Sequence, residues 1–281
     1  MENYGKTLKK IRESLSFTQT DISAGIMSQS NYSKVEKGEI DIPFSKMIDL
    51  LNRLGMTVDE FLYVHHDYTK NPGNQLKRLK QLNAGDEENI LKNIEELKAT
   101  KNLSQRDQEL LLIYEAFLLV LKNDYKAASE KVLRIWKRLE KHDNWYLYDI
   151  RLINSILYLF PSDVAESIVN LALKRLKYYK NFRNLNQLAA NLQINFLLLL
   201  IDNKKYNTAL NEIENLISFC IDKKLFRHLG VCYVRKGVLL ENLKKKDSSH
   251  WYKEGFQLLE KTYNQNLVPE LKNEIKHYTA Q

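Results

Sequence analysis

Apolar residues recur along this chain three and four positions apart, the period of a helix buried on one face. Leu8 and Ile11 mark a first helix over about Tyr4–Ser14. Met47, Leu50, Leu51 and Leu54 mark another over about Phe44–Leu54, and Val58, Phe61 and Leu62 a third, after the N-cap candidate Thr57. Two shorter segments lie between them. Thr18 is placed to cap the first, with Asp21 three residues on in capping-box position. Gly25 supplies a turn where left-handed backbone is cheap. Ser28 caps the second segment and Gly38 ends it. Tyr32 and Val35 point one way at i, i+3, while Gln29, Ser30, Ser33 and Lys34 point the other.

A polar stretch over residues 66–75, broken by Pro72-Gly73, reads as a linker. The helical period then continues, with no convincing strand. Helices are expected at about 75–82, 86–99, 104–122, 125–141, 144–159, 162–180, 184–202, 205–222, 226–243, 248–264 and 267–277. The joints share a pattern, a polar pair followed by an aromatic residue and then small ones. Asn123-Asp124-Tyr125 opens one such joint and Asn203-Lys204-Lys205-Tyr206 another. Two helices per roughly 40 residues, opened this way, resembles degenerate tetratricopeptide repeats. A lone helical hairpin cannot bury its apolar face, so such pairs stack into a curved solenoid. The fold class is therefore all-α: a five-helix helix-turn-helix domain over 1–65, then a tetratricopeptide-like α-solenoid over 76–281.

Composition narrows this reading more than it extends it. Two cysteines, four prolines and nine glycines in 281 residues suit an all-helical protein of a reducing compartment. The start, MENYGKTLKK, has no apolar core, so no secretory signal is expected. The longest apolar run, Phe196 to Ile201, is too short to span a bilayer. The net charge of +8 lies outside residues 1–65, where acidic residues exceed basic ones by one. Bulk charge thus says little about nucleic acid. The histidines beside the linker have no carboxylate or cysteine constellation around them, so neither a metal nor a cofactor is implied.

The first 65 residues resemble the phage-repressor class of DNA-binding domain. The matching residues are Gly5, Leu8 and Arg12 of a G-x-x-L-x-x-x-R pattern, the Thr18-Gln19 pair, and the Glu36-x-Gly38 ending. The resemblance places Gln29, Ser30, Ser33 and Lys34 at base-reading positions of a helix in a major groove. It places Gln19 at the start of the supporting helix and matches Arg12 and Glu36 to a structural ion pair. Arg12, as a phosphate contact, and Lys37 complete the candidate DNA-binding set. The bland alternative for the same face is a solvated polar surface.

In the solenoid, the first helix of each pair lines the concave side, the surface such proteins use to hold a peptide. Asn184, Gln187, Asn191 and Asn195 form one stripe on an otherwise apolar helix. Amides carry donors and acceptors, so they can grip an extended backbone without reading its side chains. The preceding inner helix offers Arg151 and Asn154, with Tyr148 nearby. The following one offers His228, Cys232, Arg235, Leu239 and Asn242 on one face. An arginine there suits a peptide carboxylate. Alternatively, these groups pair with one another across buried interfaces.

A head of this kind on a tetratricopeptide-like body is similar to the Rgg-type quorum-sensing regulators. The residues that carry the resemblance are Ser23-x-Gly25-x-x-Ser28-x-Ser30-x-x-Ser33-x-x-Glu36 and the Glu60-Phe61-Leu62 ending of the head. It implies a cytoplasmic homodimeric transcription regulator that binds double-stranded operator DNA and a short imported hydrophobic peptide. A head cysteine that links subunits in many members has no counterpart here. Two alternatives stay open: a regulator whose body binds a protein partner, and a peptide-regulated enzyme such as a phosphatase. For the latter the sequence offers no metal cluster, Ser–His–Asp group or phosphate loop.

Overall fold

The computed structural model describes residues 3–68, 86–142, 144–179 and 185–279. Every regular element among them is a helix. The chain divides into two compact units, Met1–Lys77 and Arg78–Gln281.

The first unit holds α1 (Tyr4–Ser14), α2 (Gln19–Ser23), α3 (Gln29–Lys37), α4 (Phe44–Arg53) and α5 (Val58–His65). All but α4 start at a side chain that satisfies a backbone N–H group a helix leaves unpaired. Thr18 accepts from the Asp21 N–H, and the Asp21 carboxylate accepts from the Thr18 N–H at 2.7 Å. Ser28 and Thr57 accept from the N–H groups of Asn31 and Glu60, both at 3.2 Å. Each such cap contributes about 1 kcal/mol. Leu8, Ile22, Tyr32, Leu50 and Phe61 fill the core, and each buried large side chain contributes roughly 1.5–3 kcal/mol. Gly5 sets how closely α1 lies on α3. A Cβ there would stand 1.8 Å from the Val35 carbonyl oxygen and 2.8 Å from its carbon.

The second unit holds α6 (Glu87–Lys98), α7 (Gln105–Leu121), α8 (Tyr125–Leu139), α9 (Leu147–Ser155), α10 (Ser162–Leu176), α11 (Leu185–Asp202), α12 (Tyr206–Asp222), α13 (Phe226–Asn242), α14 (Ser248–Lys261) and α15 (Val268–Thr279). The helix expected at 75–82, residue Asn184 and most of the expected linker lie outside the described residues. The clearest departure is at 144–159, where α9 spans only Leu147–Ser155 before a 3-10 turn at Leu157–Leu159. Trp145 is the reason for the late start. It is buried, and its indole N–H donates to the Leu139 carbonyl at 2.9 Å, tying the chain back to α8. Asp149 then accepts from the Tyr146 N–H at 3.2 Å and caps the new helix.

Five hairpin joints close in the same way. Asn123, Lys204, Lys224, Lys244 and Tyr263 follow α7, α11, α12, α13 and α14, and each has left-handed backbone, with φ between 52° and 61°. In each joint the next residue's N–H reaches back five positions to a helix carbonyl, as Leu225 does to Cys220 at 2.8 Å. This is the Schellman ending.

Helices α9, α11, α13 and α15 form the inner row, cross-linked by polar side chains. Asn195 donates to the Asn154 side chain at 3.2 Å, joining α11 to α9. His228 and Asn191 share a 3.0 Å bond, joining α13 to α11. Asn242 donates to the Tyr278 carbonyl at 3.1 Å, joining α13 to α15. Helix α11 is apolar over most of its circumference because neighbours cover it on several sides, while Asn186, Gln187 and Asn191 stay exposed. At the other end, Arg106 and Arg138 clamp the buried carboxylates of Glu109 and Asp149 and so pin α7, α8 and α9 together. Burial pushes the Asp149 carboxyl up, but its hydrogen bond from Arg106, that cation's charge and weaker partners together hold it below 3.8.

Candidate functional site

Helix α3 presents an exposed polar face on a fixed base. Tyr32 and Val35 are buried, Gln29, Ser30, Lys34 and Lys37 are exposed, and Ser33 is half-buried. Beneath them runs a chain of hydrogen bonds. Arg12 Nε donates to Glu36 Oε1 at 2.6 Å and its Nη2 to Oε2 at 2.9 Å. Its Nη1 donates to the Phe17 carbonyl at 2.9 Å. Gln19 Nε2 donates to Glu36 Oε2 at 2.8 Å, and Gln29 Nε2 donates to Gln19 Oε1 at 2.6 Å. Arg12 is 8 % exposed and Glu36 3 %. Burial pushes the Glu36 carboxyl up, but hydrogen bonds from Arg12 and Gln19 outweigh it and hold the group below its ordinary 4.5.

The structure shows the expected ion pair of Arg12 and Glu36. All three Arg12 nitrogens are engaged by groups of the head itself. Gln19 sits behind the face as well, held between Glu36 and Gln29. The polarity of the chain follows from Glu36, which can only accept. Gln19 must turn its NH2 toward Glu36, so its carbonyl accepts from Gln29. Gln29 is left with its own carbonyl oxygen and one N–H pointing outward. Arg53, which no motif marked, donates from Nη1 to the carbonyls of Ala24 and, at 3.3 Å, Ile22, and so braces the turn between α2 and α3. Its only sequence signal was a cation in the last turn of α4.

In the second unit a cleft of about 650 Å³ opens along the inner row. Helix α11 contributes Gln187, Asn191, Ile194 and Asn195. The α12–α13 joint contributes Lys224 and Leu225, and α13 contributes Phe226, Arg227, His228, Val231 and Arg235. The far wall is α15 with Leu267 before it, carrying Glu270, Leu271 and Glu274. Three of the four amides in the expected stripe therefore line one cavity, and the fourth is Asn184. Asn195 and Asn191 also bond to neighbouring inner helices. Burial and then the charge of Arg227 hold the His228 imidazole below its ordinary 6.5.

Arg235 lines the cleft with its guanidinium already engaged by groups of the protein. It is 6 % exposed, with Nε and Nη2 on the Glu274 carboxylate at 2.7 and 3.0 Å and Nη1 on the Ile194 carbonyl at 2.7 Å. A partner 39 positions away, on a helix the sequence gave no role, takes its fork. Arg151 and Asn154 lie on α9, outside the residues that line the cleft, and Asn154 is joined to it through Asn195. Tyr148 is under the Arg106 guanidinium at 4.4 Å. The stripe missed Lys224, Arg227 and Glu270. Their signal was position alone, two cations three apart where an inner helix begins. Among the described residues no cluster of His, Cys, Asp or Glu could hold a metal, and no helix is long and apolar enough to cross a membrane.

Residues 89–273 match the family model for the C-terminal domain of the HTH-type transcriptional regulator Rgg. Residues 8–61 match a helix-turn-helix model. Several solved structures share the fold. A protein from Listeria monocytogenes EGD-e has a TM-score of 0.81 at 19% identity, over 98% of each chain. The SHP pheromone receptor Rgg2 of Streptococcus dysgalactiae has a TM-score of 0.75 at 19% identity, over 98% of this chain and 99% of that one. PlcR of Bacillus thuringiensis, solved with the peptide PapR7 and DNA, has a TM-score of 0.64 at 17% identity, over 96% and 99%.

Proposed function

The chain belongs to the Rgg family of HTH-type transcriptional regulators, and from that premise we propose how its two units divide the work. The protein is a cytoplasmic homodimer. Its head reads an operator, and its body holds a short apolar signalling peptide in the inner-row cleft. Gln29 presents a carbonyl oxygen and an N–H together, the pair that meets N6 and N7 of an adenine in the major groove. Ser30, Ser33 and Lys34 complete the base-facing set, and Lys37 serves the phosphates. Gln19 acts on DNA through Gln29, and Arg12 acts through Glu36.

One observation carries the peptide reading: a large cleft whose α11 wall is a row of amides, Gln187, Asn191 and Asn195, with apolar patches from Leu225, Phe226 and Val231 beside it. Such a lining suits apolar side chains on a backbone that needs hydrogen bonds. Asn154 extends the amide row onto α9, with Arg151 beside it. A relative solved with both a peptide and DNA, and another that is a pheromone receptor, support the same reading. Peptide binding controls transcription only through different affinities for two states of the dimer. No catalytic step is proposed.

Selection from random duplex DNA with the full-length protein tests the head. A two-fold symmetric site is expected, its half-sites about 34–36 Å apart or a multiple of that. Failure to enrich any sequence would overturn the operator reading. Melting the same protein with a panel of short apolar peptides tests the body. A true ligand at 100 times its Kd stabilises by about 2.7 kcal/mol. A body transition unmoved by every panel member, with DNA titrations also unmoved, would remove the peptide from the account.

A further inference from the structure

The charges around the cleft are not equally available. Arg235 and Glu274 neutralise each other at its inner end. His228 is bonded to Asn191, and burial disfavours its charged form. Two cations remain at the mouth, Lys224 and Arg227, both exposed. Among the described residues neither has an acidic oxygen within 4.0 Å. Glu270 is on the opposite wall and pairs with neither. Lys224 sits in the Schellman joint, with left-handed backbone that fixes where its side chain leaves the chain. Between the two cations are the apolar Leu225 and Phe226, the latter 46 % exposed. Ile194, Val231 and Leu271 continue that apolar surface inward.

The cleft thus has a cationic mouth, apolar patches beside it and an amide wall. We propose that Lys224 and Arg227 hold a carboxylate of the bound peptide, in the place the sequence had given to Arg235. The peptide then lies with that carboxylate at the α12–α13 joint and its backbone along α11. The inference rests on the peptide-binding reading above. A carboxylate can come from the peptide C-terminus or from an aspartate or glutamate side chain, and the chemistry at the joint is the same.

The test uses full-length protein and three synthetic libraries of short apolar peptides, with retained peptides counted by mass spectrometry. One library has free C-termini and no acidic residue. The second is identical but C-terminally amidated. The third is amidated and carries one Asp or Glu. Retention of the first or the third over the second, by about tenfold or more, is expected from charge-assisted hydrogen bonds. The favoured library names the source of the carboxylate. A Lys224→Gln/Arg227→Gln variant, its melting transition intact, should still retain peptides but lose the preference. Lys244→Gln, an exposed cation outside the cleft lining, should keep it. Equal retention of all three libraries, or a preference that survives in the double variant or disappears in Lys244→Gln, overturns the carboxylate site and leaves peptide binding standing. Retention of none of them overturns the peptide reading itself, and this inference with it.

Discussion

Replacing Glu36 by alanine removes three hydrogen bonds from the head: two from Arg12, at 2.6 and 2.9 Å, and one from Gln19, at 2.8 Å. The guanidinium left behind is 8 % exposed and keeps only the Phe17 carbonyl and a 3.4 Å contact with Glu13. Breaking a buried pair from one side costs about 3–5 kcal/mol. Arg12→Met breaks it from the other side and costs somewhat less, because Gln19 still donates to the carboxylate. A unit of this size is stable by about 3–10 kcal/mol in total. Either single change therefore leaves the head near its unfolding threshold. Arg12→Met/Glu36→Leu puts apolar groups of similar volume in the same place, which is often close to neutral. The double variant should thus be more stable than either single one, with a coupling of at least about 2 kcal/mol. Calorimetry on the full chain reads this as a head transition lowered by more than about 10 °C in each single variant and largely restored in the double. The double variant should still bind its operator about 1–2 kcal/mol more weakly, since Gln19 and Gln29 lose the anchor that orders them. Single-variant effects that add within about 0.5 kcal/mol would refute the coupling.

Three further outcomes follow from the head and body. Gly5→Ala must move α1 away from the α3 backbone, given the 1.8 Å approach to the Val35 oxygen. It should cost at least about 1–3 kcal/mol in the head transition while leaving the body transition alone; an unchanged head would contradict the packing. Gln29→Ala and Lys34→Ala, both exposed, should each lose about 1–3 kcal/mol of specific DNA affinity with melting intact, as fluorescence anisotropy on the selected operator would measure. Acid should act through Glu36 and Asp149, whose folded pKa values lie below 4.5 and 3.8. Their stabilisation is full above those ordinary values and is lost as pH falls through the folded ones. Head melting should therefore begin to drop below about pH 4.5, and a Glu36→Gln head that shows the same pH slope would exclude this carboxyl as the cause.

The head was legible because its signals are local. Thr18, Ser28 and Thr57 cap helices that begin at the next residue, and Tyr32 and Val35 are separated from the outward face by helical period alone. The body helices were legible for the same reason, and their ends were lost where a distant contact decided them. Trp145 delays α9 by binding a carbonyl of the preceding helix, which no three-residue spacing encodes. The lining of the cleft was legible in its amides and not in its charges. Gln187, Asn191 and Asn195 share a face by period. Whether Arg235 is open or occupied depends on Glu274, carried there by a helix two elements further on.

The two units differ in how often glycine ends a helix. In the head, Gly38 and Gly55 occupy the left-handed position after α3 and α4, while Ser16 and Asp67 occupy it after α1 and α5. In the body the same position is taken by Asn123, three lysines and Tyr263. For residues other than glycine that conformation costs about 1–2 kcal/mol, so the solenoid carries a small repeated burden at its corners. Part of it is recoverable. Lys204→Gly and Lys244→Gly, which touch neither cleft nor core, should each raise the body transition by up to about 1 kcal/mol, the gain being limited by the greater freedom of glycine in the unfolded chain. The stability of the body can therefore be adjusted at these two corners without altering the residues that line the cleft.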